Sequence, residues 1–256
     1  MATGPERTTT RVKDLAGALL IVTLTLMMQP ITTAEAALAN CGSAGQHFSG
    51  RIFNPSGYQS RGSEAEIDIR SGPLCESGNG PSTFSTSWVM LQNDEGMGGY
   101  AQVGHFFKNF GQENHRFFYE FRRSTAVSFT RVLWGDPVFG NHHNFRASRR
   151  TSDGHVVFTV EDNNPPGAAE TNFDPLNAWP GTKSAWSSEV LHIASDVPGT
   201  PTAKTNFQFV HHKNSSETWQ LQNYVGVVPT KCYFPVSEVT NNSHFRSWTS
   251  NPNHTC

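Results

Sequence analysis

The chain has no run of twenty apolar residues, no Cys-x-x-Cys pair, no stripe of one charge sign and few charges of any kind, at 16% of residues. Each absence excludes something. The longest apolar run, Ala16 to Met28, is too short to span a bilayer comfortably, since that takes about 20 apolar residues. Without paired, closely spaced cysteines, zinc binding or thiol redox chemistry at those sulfurs is not expected. A formal net charge of −2 with scattered Lys and Arg argues against a nucleic-acid partner. No stretch after Met28 keeps a 3.6-residue apolar period over three turns, so long amphipathic helices are not expected either. Disorder is excluded from the other side, because aromatic residues make up 11% of the chain.

What is present starts with a processing signal. Arg7, Arg11 and Lys13 precede the apolar run, and the small-residue segment AEAALAN follows it. This is the three-part layout of a secretory signal over residues 1–39, with Ala37 and Ala39 spaced for cleavage before Asn40. A retained N-terminal anchor is the competing expectation; after cleavage no membrane association is implied. The four cysteines, Cys41, Cys75, Cys232 and Cys256, all follow the signal, and an even number in an exported chain predicts two disulfides. Three pairings are open, and the local ones, Cys41–Cys75 and Cys232–Cys256, are favoured.

Composition divides the rest into a Gly/Ser-rich segment, 40–83, and a β-domain, 84–256. Short β-type runs are expected near Phe84–Leu91, Tyr100–Phe107, His115–Arg122, Val127–Leu133, His155–Glu161, Ser184–Ala194, Thr205–His212, Thr218–Tyr224 and Tyr233–Val239. Turn formers such as DEGMGG, TSDG and HHKNSSE separate them. Many short strands at near-regular spacing predict an all-β, two-sheet antiparallel sandwich or jelly roll. The proline-rich segment NNPPGAAETNFDPLNAWPG, Asn163 to Gly181, is long for a loop and is expected to be either a functional lid or rim, or an insertion.

Strand alternation then sorts the polar residues by face. In AWSSEVLHIA, Glu189 falls on the face of Ser187, Leu191 and Ile193, where lost hydration would raise its pKa towards a working acid or base. In GYAQVGHFF, Tyr100, Gln102, Gly104 and Phe106 share a face, and the missing side chain of Gly104 is expected to leave room beside Gln102. In RFFYEFR, Phe118, Glu120 and Arg122 share a face, and Glu120 with Arg122 is expected to form an ion pair. The pairs His142-His143 and His211-His212 point to opposite faces of a strand, so neither is expected to hold a metal.

Taken in order, these pieces resemble a family. Trp88-Val89, GMGG, Gln102-Val103-Gly104 and Phe118-Tyr119-Glu120-Phe121, followed downstream by AWSSEVLHIASDVPGTPTAKTNFQFVHH, are similar to the glutamic peptidases of the eqolisin type over roughly Phe84 to His212. The resemblance implies a concanavalin- or glucanase-like jelly roll of two curved seven-stranded sheets with a cleft on one face. It also implies a catalytic pair, Gln102 and Glu189, with Trp88, Glu120 and Tyr100 lining the cleft, and no cofactor. The partner would be a polypeptide substrate. The alternative is a non-catalytic jelly roll of the cell exterior that binds an extracellular glycan on Trp and Tyr side chains, and Trp179, Trp219 and Trp248 are candidates for such stacking. A glycosidase variant of that alternative would use Glu120 and Glu189 as its carboxylate pair, and a structural or interaction protein of the cell exterior is the third expectation.

Overall fold

The computed structural model describes residues 44–54, 58–72, 74–75, 83–93, 98–108, 115–161, 169–179, 181–192, 195–222, 226–227, 239–241 and 243–249. In chain order the strands are β1 (Ala44–Phe53), β2 (Gly62–Asp68), β3 (Phe84–Asn93), β4 (Tyr100–Lys108), β5 (His115–Arg122), β6 (Thr130–Trp134), β7 (His142–Arg149) and β8 (Val156–Val160). A four-residue helix α1 (Pro175–Ala178) precedes β9 (Thr182–His192), β10 (Thr205–Lys213), β11 (Trp219–Leu221), β12 (Gly226–Val227), β13 (Val239–Asn241) and β14 (His244–Ser247). The first sheet has seven strands in the order β12-β1-β9-β3-β4-β5-β6. The second runs β13-β14-β10-β2-β7-β8, with β11 paired to β10. Every strand pairing within both sheets is antiparallel. The all-β jelly roll expected from the pattern is what forms.

The sheets face each other through a core that alternation dictates. Val89, Leu91, Ala101, Val103, Tyr119 and Trp186 of the first sheet meet Ile67, Phe145, Phe158 and Phe207 of the second. Tyr119 stacks on Phe158 at 5.1 Å between centroids. Burying each such side chain contributes about 1.5–3 kcal/mol, so this layer dominates the stability. Strand β9 is also tied to β2 across the sandwich: Trp186 Nε1 donates to the Glu64 carbonyl at 2.9 Å, Ser184 Oγ to the Gly62 carbonyl at 2.8 Å, and Ser63 Oγ to the Ala185 carbonyl at 3.2 Å. A strand held this way presents its other face in a fixed position.

Three expectations need correction. The boundary expected at residue 84 does not delimit the sandwich: β1 pairs with β9 along eight residue pairs, and β2 lies between β10 and β7 in the second sheet. Their Gly, Ser, Ala and Glu residues carry little intrinsic β preference, and pairing to neighbours on both sides overrides it. The strand expected from Val127 begins only at Thr130, because Val127 N–H closes a turn onto the Ser124 carbonyl at 3.2 Å. The described part of 163–181 is not a lid. Ala169, Phe173 and Trp179 are core residues, Phe158 N–H donates to the Ala169 carbonyl at 2.9 Å, and Trp179 Nε1 donates to the Arg123 carbonyl at 2.8 Å. Trp179 is therefore a packing residue and not a sugar platform.

The proposed signal, residues 1–39, and Cys41, Cys232 and Cys256 lie outside the described residues, so neither expected cysteine pairing falls within them. The Cys75 backbone N–H donates to Ser195 Oγ at 3.2 Å in the interior. His212 stacks on Phe53 at 4.1 Å, and His143 Nδ1 lies 2.7 Å from Glu161.

Candidate active site

On the first sheet, the face turned away from the second sheet carries a cleft of about 390 Å³. Trp88, Tyr100, Gln102, Glu120 and Glu189 all line it. The residues that the alternation put on one face of β4 and β5 therefore do share a face, and Glu189 of β9 joins them.

Pairing register fixes their mutual positions in four rows across the sheet. Thr86 of β3 is opposite Glu189 of β9 on one side and Phe106 of β4 on the other. Two residues on, Trp88 is opposite Ser187 and Gly104. Next, Met90 is opposite Ala185 and Gln102, Gln102 is opposite Glu120 of β5, and Glu120 is opposite Arg131 of β6. In the last row Tyr100 is opposite Arg122. Gln102 and Glu189 are thus not on neighbouring strands: β3 lies between them, and they are two rows apart. At about 3.4 Å per residue and 4.8 Å per strand, their Cα positions are roughly 17 Å apart, with Trp88 in the row between them.

Glu189 is 5% exposed, and Trp88 Nε1 donates to its Oε2 at 3.0 Å. Burial pushes its carboxyl pKa up to about 8, helped by the nearby Glu120 and opposed by the Trp88 hydrogen bond and by Arg131. Desolvation wins, as it does for carboxyls in apolar surroundings. The apolar neighbours differ from those expected. Glu189 sits in the Phe106 row of the cleft, while Leu191 is only half-buried at the end of the strand.

Glu120 is 3% exposed, and polar groups take up both of its oxygens. Arg131 Nε donates to Oε2, Tyr100 Oη donates to Oε1, and Gln102 Nε2 reaches Oε1 at a long 3.5 Å. Burial and the facing carboxylate raise the Tyr100 phenol pKa, which keeps it a donor. The expected Glu120–Arg122 pair is replaced by Glu120–Arg131, because the residue opposite Glu120 on β6 is Arg131. Arg122 instead lies over the Tyr100 ring, 5.5 Å from its centroid. A carboxylate so fully engaged is poorly placed to serve as one of two glycosidase carboxyls.

Gly104 leaves no space for a ligand. A Cβ there would come within 2.1 Å of the Ser87 carbonyl and 2.9 Å of Trp88 Cβ, so the glycine lets β3 and Trp88 close against β4. The sequence reading missed Arg131 and Phe129. Both line the cleft, but nothing in one strand's alternation says which of its faces meets the core.

The two-sheet antiparallel jelly roll is a fold shared with solved glutamic peptidases. In fold, the chain is similar to Scytalido-glutamic peptidase bound to a peptide-based transition state analog, with a TM-score of 0.54 and 13% identity over 82% of this chain and 100% of that one. It is also similar to SCP-B, a member of the eqolisin family of peptidases in complex with the tripeptide Ala-Ile-His, with a TM-score of 0.52 and 12% identity over the same shares. No protein-family model and no curated protein sequence matches the chain.

Proposed function

We propose that the protein is an exported glutamic-peptidase-like hydrolase that holds an extended polypeptide across this cleft. Glu189, when ionised, takes a proton from a water as that water attacks the scissile carbonyl, then passes the proton to the leaving amine as the C–N bond breaks. The Gln102 amide donates to the oxyanion in between. The observation that carries this reading is that a desolvated carboxyl and a side-chain amide face the same cleft from opposite sides. The sequence layout supports export by a cleaved signal, and the even cysteine count supports a disulfide-stapled exterior protein. The test is peptide cleavage by the wild type and by Glu189→Gln, with folding followed by circular dichroism. Equal cleavage by the two would remove Glu189 from the mechanism.

The register favours a second reading, binding without cleavage, with a peptide or a glycan as ligand. The β9 residue in the Gln102 row is Ala185, and Trp88 occupies the row between Gln102 and Glu189. This reading predicts a wild type that retains peptide or polysaccharide in a pull-down but leaves it intact, and a gain of cleavage in Ala185→Glu.

A further inference from the structure

The edges of the two sheets are treated differently. The outer edge of β8 is covered: Val157 bridges Glu170, Phe158 N–H donates to the Ala169 carbonyl and Thr171 N–H to the Val156 carbonyl, both at 2.9 Å. The outer edge of β6 is not. Among the described residues β6 pairs with β5 alone, which leaves the backbone groups of its other side without a strand partner. Edge strands are commonly protected by a charge at the edge, but the one charge on β6, Arg131, is paired with Glu120 of β5. Apolar side chains stand at this edge instead. Six large apolar side chains are exposed among the described residues, and four of them, Val127, Phe129, Val138 and Phe139, flank β6. Residues 128–129 and 136–138, on either side of the strand, belong to no strand or turn. The arrangement is symmetric along the chain: Val127 lies six residues before Leu133 and Phe139 six after it, while Phe129 lies four before and Pro137 four after.

We propose that β6 is a self-association edge, at which two copies of this chain join β6 to β6, antiparallel, about a two-fold axis through Leu133. Such a contact is isologous, so each pairing is made twice. In this register Val127 of one copy is opposite Phe139 of the other, and Phe129 is opposite Pro137, so each exposed arm meets the arm at the far end of the second copy. Arg131 falls opposite Gly135, and no like charges face each other. An axis through Arg131 would set the two guanidiniums opposite one another, and an axis through Val132 would leave Phe139 opposite Thr125. The occupant is a second copy because the apolar pattern complements its own reversal, which an unrelated strand does not share. Antiparallel neighbours in a sheet share faces, so both clefts would open on the same side. Phe129 lines the cleft, so Pro137 of the second copy would stand at its rim. The strip is short, and interfaces under about 1,200 Å² belong to weak, reversible assemblies. The proposal depends on neither Gln102 nor Glu189.

Sedimentation velocity of the full chain from about 1 to 200 μM tests this, since a reversible dimer dissociates on dilution. The expected result is a weight-average mass that rises with concentration towards twice that of the monomer. Val127→Lys and Phe139→Glu should each weaken the dimer by about tenfold or more, because each sets a charge against an apolar group at both ends of the interface. An equimolar mixture of the two variants should dimerise again. At one end the introduced ammonium then faces the introduced carboxylate, and at the other Val127 still faces Phe139. Recovery in the mixture alone also separates a lost interface from a lost fold. Should Phe139→Glu fail to fold, as read by circular dichroism, Val127→Lys at its exposed turn position still decides whether this edge is the interface. A wild type that stays monomeric, a dimer indifferent to both variants, or a mixture that does not recover would overturn the pairing. A monomer that instead co-sediments with phosphatidylglycerol vesicles would overturn it too and give the strip to a membrane surface.

Discussion

Trp88 and Glu189 are joined by a hydrogen bond of 3.0 Å from the indole to the carboxyl, between adjacent strands of the first sheet. This bond favours the ionised carboxylate, whereas burial favours the neutral acid, and burial prevails to give a pKa of about 8. If Glu189 is the base, kcat/KM rises with pH and levels off above about 8. Replacing Trp88 with Phe removes the one interaction with β3 that opposes burial, so the rising limb should move to higher pH by about one to two units. A pH–rate profile of both proteins checks this. A wild-type rate that falls steadily from pH 4 upward would mean that the protonated acid is the working form.

Glu189→Gln should lower cleavage by about 10²–10⁴-fold, the usual contribution of a positioned acid or base. Gln102→Ala should lower it by about 10²–10³-fold, with KM less affected, because the amide is used most in the tetrahedral intermediate. Steady-state kinetics on one peptide measure both.

The same glutamate makes a stability prediction of opposite sense to the usual carboxylate. Its folded pKa lies above the ordinary 4.5, so between pH 4.5 and 8 the native state holds a proton that the unfolded chain has released. Its contribution is fully present below pH 4.5 and is lost as pH rises towards 8. Glu189→Gln lacks this loss, so relative to the wild type it should be more stable at pH 9 than at pH 4, by at most about 4–5 kcal/mol. Urea unfolding of the two proteins at both pH values checks the difference.

His105 works against stability in acid. It is fully buried, its Nδ1 lies 3.3 Å from His115 Nε2, and burial holds its pKa well below 6.5, with His115 and His143 adding to the effect. Its contribution is present above pH 6.5 and is lost as pH falls, because the unfolded chain takes up a proton that the core refuses. His115, held at about 4 chiefly by burial, acts in the same direction. His105→Phe should extend folding to lower pH, moving the acid midpoint down by roughly one unit, as read by circular dichroism.

Gly104→Ala should damage fold and site together. The added methyl meets the Ser87 carbonyl and the Trp88 backbone and Cβ, none of which can swing away. Separating β3 from β4 there should cost about 1–3 kcal/mol and move Trp88 off Glu189. Thermal unfolding checks the first effect, and loss of the Trp88-dependent pH limb checks the second.

Much of this was legible along the chain. Alternation in GYAQVGHFF put Tyr100 and Gln102 on one face of their strand, alternation in RFFYEFR put Glu120 with Phe118 and Arg122 on one face of the next, and the fold keeps each set together, because a period of two survives any arrangement of neighbouring strands. β1 and β2 were not legible, since their small and polar residues form strands only where partners on both sides satisfy the backbone. The Glu120–Arg131 pair was hidden for a related reason. Spacing along β5 suggested Arg122, but an ion pair across strands depends on register.

The sequence by itself determined that this is a β-protein with two-faced strands, and which residues share a face within each strand, because side-chain direction is a local property of extended backbone. Only the tertiary structure decided which strands adjoin, in what register, and hence that β3 and Trp88 stand between Glu189 and Gln102 while Arg131 neutralises Glu120. Those relationships join residues far apart in the chain through pairings that each strand could make in several ways, and the packing of the whole sandwich selects one.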